Sequence, residues 1–157
     1  MSIRVELDSR EVQRRLGEAT AALADATPLM KRIAGILEAE TEANFAAEGR
    51  PHWKDWEEST RKARLKRNSG SSILKILQDS GRLAASISTD HGPGHAQIGS
   101  NVAYAAIHQF GGTIAHGALP ARPYLPFSGP PTSATLQPEA ERSILDAIKK
   151  LLNSATR

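Results

Sequence analysis

Six of the nine prolines in this chain fall between positions 120 and 138: Pro120, Pro123, Pro126, Pro130, Pro131 and Pro138. A proline has no backbone N–H to give to a ladder and holds φ near about −65°. Residues 113–138 are therefore expected to be loop-like, extended and edge-like, with no central strand among them. Regular structure must come from the sequence on either side.

On both sides the periodicity is clear. Ile3, Val5 and Leu7 alternate with Arg4 and Glu6, the period of a half-buried strand. A first helix is expected over about Ser9–Ala24, with Val12, Leu16, Ala19 and Leu23 at helical spacing and Asp8 or Ser9 as cap. Thr27-Pro28 then reads as an N-cap followed by proline at the first helical position. From there Met30, Ile33, Ile36, Leu37, Thr41 and Phe45 form one stripe of a longer helix ending near Gly49. Asn68–Ser72 reads as a flexible loop, and Asp79–Leu83 as a turn into a short helix. Ser86–Thr89 and Ala96–Gly99, around Gly92-Pro93-Gly94, read as a hairpin. Asn101 is the expected cap of a short helix through Phe110, ended by Gly111-Gly112. Ile144, Leu145, Ile148, Leu151 and Leu152 mark a C-terminal helix, with Glu139 and Glu141 early and Lys149 and Lys150 late, in line with its dipole.

These readings give an α+β fold: a small antiparallel sheet packed against amphipathic N-terminal and C-terminal helices. A length of 157 residues fits a single domain over 1–157. Its parts are the N-terminal strand and helices (1–49), a basic and flexible segment (50–78), a hairpin-and-helix core (79–112), the proline-rich loop (113–138) and the C-terminal helix (139–157). Aromatics make up only 4%, so the core must be built mainly of Ala, Leu and Ile. No apolar run approaches the ~20 residues of a membrane span, and Met1-Ser2-Ile3-Arg4 does not open a secretory signal. The absence of cysteine excludes disulfides, thiolate metal sites and a cysteine nucleophile.

With 20 Lys+Arg against 17 Asp+Glu the net charge is only +3, so its placement matters more than its total. Arg61, Lys62, Arg64, Lys66 and Arg67 put five cations in seven residues. They are candidates for a polyanion, because each neutralised phosphate releases counterions. The plainer reading is a solvated helix face offset by Asp55, Glu57 and Glu58. Trp53 and Trp56, three apart, are expected to divide between core and interface. Four histidines come late, but His91 and His95 flank a turn that points side chains apart, and His116 and His108 have no carboxylate cluster beside them. Nucleophile-elbow, phosphate-loop and dinucleotide motifs are absent. Nothing here calls for an enzyme, a metal or a cofactor.

Three stretches, in order, carry a resemblance. The first is Trp53-Lys54-Asp55-Trp56-Glu57-Glu58-Ser59-Thr60 followed by Lys62. The second is Ile76-Leu77-Gln78-Asp79-Ser80-Gly81-Arg82-Leu83-Ala84-Ala85-Ser86-Ile87. The third runs from Ile98-Gly99-Ser100 through Tyr104-Ala105-Ala106-Ile107-His108-Gln109-Phe110-Gly111-Gly112 to Pro120-Ala121-Arg122-Pro123-Tyr124-Leu125. Together they resemble the phage virion morphogenesis family, the tail-completion proteins of Mu-like and related tailed phages.

The resemblance implies a structural protein of the head–tail junction, in the virion neck or tail end and in host cytoplasm during assembly. It implies a homo-oligomer, commonly a hexameric ring around the DNA channel, in contact with other neck and tail proteins and with no membrane. Arg61, Lys62, Arg64, Lys66 and Arg67 would then face DNA. Trp53, Trp56, Tyr104, His108, Gln109, Phe110, Arg122 and Tyr124 would serve oligomer or partner contacts. Within that picture His108 is expected to be half-buried, tying its helix to the proline-rich loop. Arg122, between two prolines, is expected to offer its planar fork to a carboxylate or carbonyls of this chain or a neighbour. Tail terminators and head-side connector subunits share the same general pattern. A nucleic-acid-binding module using residues 61–67 is the alternative of another class, and a hydrolase or metal enzyme built on the histidines is a third.

Overall fold

Pro28 starts a helix well and interrupts one badly. In the computed structural model, which describes residues 3–8, 10, 25–68 and 74–155, it lies in the first turn of helix α1 (Thr27–Ala47). The start differs slightly from expectation. Thr27 is already helical, and the Asp25 carboxylate before it accepts the Thr27 N–H at 2.9 Å. Leu29, Met30, Ile33, Ala34, Leu37, Thr41, Asn44 and Phe45 are buried along one face, with Ile36 at its margin. The helix stops at Glu48 and Gly49, both at positive φ. A Cβ on Gly49 would lie 2.4 Å from the Trp53 ring, so only glycine lets the tryptophan close over the helix end.

Strands β1 (Ile3–Asp8), β2 (Ile87–Gly92) and β3 (His95–Ser100) form an antiparallel sheet in the order β1-β3-β2. The expected hairpin is there, with Gly92 opposite His95 and Thr89 opposite Ile98, which also pairs with Val5. On the central strand Ala96, Ile98 and Ser100 are buried, alternate residues as one sheet face requires. Helix α1 packs across β2 and β3 and along the C-terminal helix. The orientation of Ile3, Val5 and Leu7, the expected helix over 9–24 beyond Arg10, and the loop beyond Asn68 lie outside the described residues.

Helix α2 (Glu58–Arg67) carries the basic run. Helix α3 (Arg82–Ala85) follows Gly81, whose φ of 73° makes the tight turn that delivers Leu83 to the core. Asn101 does not cap the next helix: α4 is shorter (Ala105–Phe110), and Ser100 fixes the approach by accepting the Val102 N–H. The proline-rich stretch also needs correction, because it is not all loop. It holds β4 (Gly112–Ile114) paired with β5 (Gly117–Leu119), and β6 (Phe127–Ser128) paired with β7 (Thr135–Leu136). All four strands occupy the proline-free intervals, where no ladder donor is missing. Helix α5 (Pro138–Ala155) buries Ala140, Ile144 and Ala147. Leu145, expected in its stripe, is 45% exposed, because the small alanines let α5 approach the core on a face turned away from it.

The architecture is α+β. Its core joins Met30, Ile33, Leu37 and Phe45 of α1 to Ile98, Tyr124, Leu125 and Ile144.

Candidate interaction surface

A segment without regular structure can enter a core only if its backbone polar groups find partners. Residues 122–127 do so through side chains and backbone together. Pro123 and Pro126 bring no N–H, which leaves four to satisfy. The Arg122 N–H donates to the His108 carbonyl at 2.8 Å, and the Phe127 N–H to the Leu125 carbonyl at 2.7 Å. Gln109 Oε1 accepts both the Tyr124 and Leu125 N–H groups at 3.0 Å. The carbonyls of Pro123, Tyr124, Pro126 and Phe127 are met in turn. Gln109 Nε2 donates to Phe127, Asn44 Nδ2 to Tyr124, and Trp53 Nε1 to Pro123. The Gln137 N–H donates to the Pro126 carbonyl. Asn44 also bonds Gln137 Oε1 and accepts from Arg50 Nε, and Arg50 is held by Glu40 at 2.7 Å.

This lock fixes the tryptophan loop. Trp53 is buried edge-on to Phe45, with ring centroids 6.0 Å apart. Arg122 is buried too, and its fork reaches the carbonyls of Lys54 at 2.9 Å and Asp55 at 3.3 Å. Burial first, then the Arg64 charge, lowers its pKa, while Asp55 opposes the shift. Trp56, half-buried just beyond, lies under the guanidinium of Arg64 at 4.8 Å and that of Arg61 at 6.0 Å. A cation over an indole face contributes about 0.5–1 kcal/mol at an exposed site and more where it is partly covered, as Arg64 is.

The basic helix thus rests on Trp56, and no residue of it is buried. Its charges are largely matched within the chain. Arg61 pairs with Asp55, Lys62 with Glu58 at 3.4 Å, and Arg67 with Asp79 at 2.6 Å, with Arg64 reaching the same carboxylate at 4.0 Å. Between α2 and α4 lies a cleft of about 250 Å³ lined by Arg64, Leu77, Asp79, Leu83, Tyr104 and His108. Tyr104 is 39% exposed and stands edge-on to the His108 ring at 5.7 Å. Burial first, then the charges of Arg122 and Arg64, pushes the His108 pKa down. The histidine does tie its helix to the proline-rich segment, but through its carbonyl rather than its ring.

The expected contact residues therefore separate into two groups. Trp53, Gln109, Arg122 and Tyr124 are buried inside the chain. Burial places them behind the surface rather than on it, bonded to the chain's own backbone. Trp56, Tyr104, His108 and Phe110 stay partly or largely accessible. Sequence reasoning missed Asn44, Arg50 and Gln137. Asn44 carried a usable signal, since an amide on the apolar stripe of α1 must find buried partners.

The late histidines do not converge. His95 turns to Asp90 at 3.4 Å, and His116 is exposed at the turn between β4 and β5. Among the described residues no group of three or more His, Asp or Glu is placed to hold a metal ion. No helix among them is long and apolar enough to cross a membrane.

The arrangement thus has two parts, a locked proline segment and an outer rim of aromatic and basic side chains. Residues 7–153 match the model of the phage virion morphogenesis family, and the chain belongs to that family. It is 35% identical over 151 residues to Mu-like prophage FluMu G protein 2 of Haemophilus influenzae, covering 94% of each chain. It is 33% identical over 165 residues to the putative capsid assembly protein G of Escherichia phage Mu, covering 100% of this chain and 98% of that protein. No solved structure matches it significantly. A structural or assembly role in phage morphogenesis follows from this membership.

Proposed function

We propose that the chain is a virion subunit without an active centre, which completes the tail or joins it to the head as one member of a ring around the DNA channel. A hexamer is the expected ring. The observation that carries this reading is the polar lock on residues 122–127. The buried polar groups that could have served chemistry, Asn44, Gln109, Gln137 and Arg122, are bound to the chain's own backbone and to one another. What they secure is a stiff rim of Trp56, Tyr104, His108 and Phe110, and a preorganised rim costs little entropy to dock. The name of the phage Mu relative, a putative capsid assembly protein, supports a part in building the particle. Tail terminator and head-side connector are neighbouring assignments, distinguished by the layer the subunit occupies. Reconstruction of the neck of assembled particles tests all three. Density for the chain as a ring at the head-proximal end of the tail is expected, and its confinement to the lysate overturns the reading.

The nucleic-acid reading draws on one observation, that α2 exposes Arg61, Lys62, Lys66 and Arg67 and buries nothing. Their pairing with Asp55, Glu58 and Asp79 leaves Lys66 as the member of the run with no ion pair among the described residues. Duplex binding with a shallow salt slope, on the order of one or two phosphates, is expected at most. A steep slope that collapses when Arg61, Lys62 and Lys66 become Gln would instead make DNA contact the primary role.

A further inference from the structure

The hairpin of β4 and β5 has little to hold it in the subunit. Every residue from Gly112 to Ala118 is exposed, and Ile114 is 40% accessible. A two-stranded hairpin alone is marginal in water. Edge strands are ordinarily protected by charge, by proline within the strand or by cover. Here no Asp, Glu, Lys or Arg occurs from Gly111 to Ala121, and Pro120 falls just after β5. The base, by contrast, is firmly set. Gly111 has a φ of 73°, and a Cβ there would lie 2.7 Å from the Ala121 nitrogen. The arm is therefore aimed by its root and unsupported along its length.

A second surface has the opposite character. Strand β2 is an outer strand of the three-stranded sheet, paired on one side with β3. Beside it runs a groove of about 340 Å³ lined by Glu38, Thr41, Glu42, Phe45, Ala84 and Ile87. Phe45, Ala84 and Ile87 give it an apolar floor, and its rim carries the carboxylates of Glu38 and Glu42 together with Lys75 and Gln78. The hairpin carries no carboxylate, and the imidazole of His116 at its turn can donate to one.

We infer that the hairpin 112–119 is an assembly arm, which adds to the β2 edge of a second copy of this chain and seats Ile114 in the groove beside it. Main-chain bonds along the strand give affinity, and the groove sets the register. The two surfaces differ, so the contact runs head to tail, the type that closes into a ring when the rotation permits. The inference rests on the ring reading above and assigns the side contact that such a ring needs.

The chain has no cysteine, so Thr113→Cys and Ser88→Cys on separately tagged full-length copies report this contact alone. After mild oxidation, in concentrated free protein and in assembled particles, a disulfide between the two kinds of copy is expected. Ile114→Asp on the Thr113→Cys copy should abolish it, and Ile114→Asp alone should weaken self-association in sedimentation by about tenfold or more. Links confined to two Thr113→Cys copies would mean hairpins pairing with each other and would overturn the assignment. So would the absence of any link in particles that contain the protein at the tail end, a result that leaves the ring itself intact. A link formed in free protein, with the protein itself absent from the tail end of particles, would instead remove the ring reading and keep the arm.

Discussion

The stretches 112–119 and 122–127 are near neighbours in sequence, extended, and almost free of charge, yet they meet opposite fates. The second lies in the core with each of its four N–H groups bonded and the carbonyls of Pro123, Tyr124, Pro126 and Phe127 met by Trp53, Asn44, the backbone of Gln137 and Gln109. The first stands in solvent with its strands bonded only to each other. Arg122 and Gly111 mark the border, one fixing the tryptophan loop from within and the other giving the hairpin its exit. Burial of extended backbone depends on side-chain amides to complete it, and where the chain supplies none the backbone stays outside and available.

Among variants that still fold, the largest effect should come from breaking the lock. Gln109→Ala removes one acceptor shared by two buried N–H groups and the donor to the Phe127 carbonyl. An orphaned buried polar group costs about 1–3 kcal/mol, so a loss of about 3–5 kcal/mol is expected, much of the stability of a domain this size. Urea unfolding should show a lower midpoint with an unchanged slope. A midpoint close to the parent's would mean that the lock is dispensable.

Tyr124 tests the same region more gently. Its hydroxyl donates to the Ala105 carbonyl at 3.2 Å, and burial raises its pKa far above the ordinary phenol value. Tyr124→Phe should cost about 1 kcal/mol at neutral pH. With the folded pKa raised, the unfolded chain loses its proton first as pH climbs beyond about 10. Stability is complete below that point and is lost above it. In Tyr124→Phe the alkaline limb of a stability–pH curve should flatten.

How far this division could be read from sequence depends on how each part is encoded. Helices α1 and α5 announce themselves because apolar side chains repeat at the helical period, and the β2–β3 hairpin is signalled by Gly92-Pro93-Gly94. Trp53 and Gly49 are partly legible, as a large residue in a chain with few aromatics and a glycine at a helix end. The lock is not, because one amide on α1 and one on α4 become partners of residues 122–127 only after the chain has folded. Asn44 reaches Tyr124 across 80 positions. The charge balance on α2 is only half visible, since Asp55 lies just upstream but Asp79 reaches Arg64 and Arg67 from 15 and 12 positions further along the chain. The prolines correctly excluded a central strand, but they say nothing of the intervals between them, where β4 to β7 form.

His108 sits where the locked segment meets the rim, and its titration sharpens the boundary. Burial and the two arginines lower its folded pKa, so the unfolded chain binds a proton first as pH falls through about 6.5. The stability it supports is present above that pH and declines as pH drops through the folded value. Ring NMR should record the low pKa directly. Arg64→Gln should raise it only in part, because burial outranks the charge among its causes. Full recovery to the ordinary value would make the arginine, rather than the packing of α4, the determinant.

The smallest effect on the free subunit should come from the arm, and that is what separates it from its neighbour. Ile114 is exposed, and a surface position away from caps and networks ordinarily changes stability by less than about 0.5 kcal/mol. Ile114→Asp should therefore leave the urea midpoint nearly unmoved while removing the contact between copies. The same aspartate placed at Leu125, fully buried among core residues, should prevent folding altogether, because an unpaired charge has no partner there. A large loss of stability from Ile114→Asp in the free subunit would mean that the hairpin is packed within its own chain, and the contrast between the two stretches would disappear.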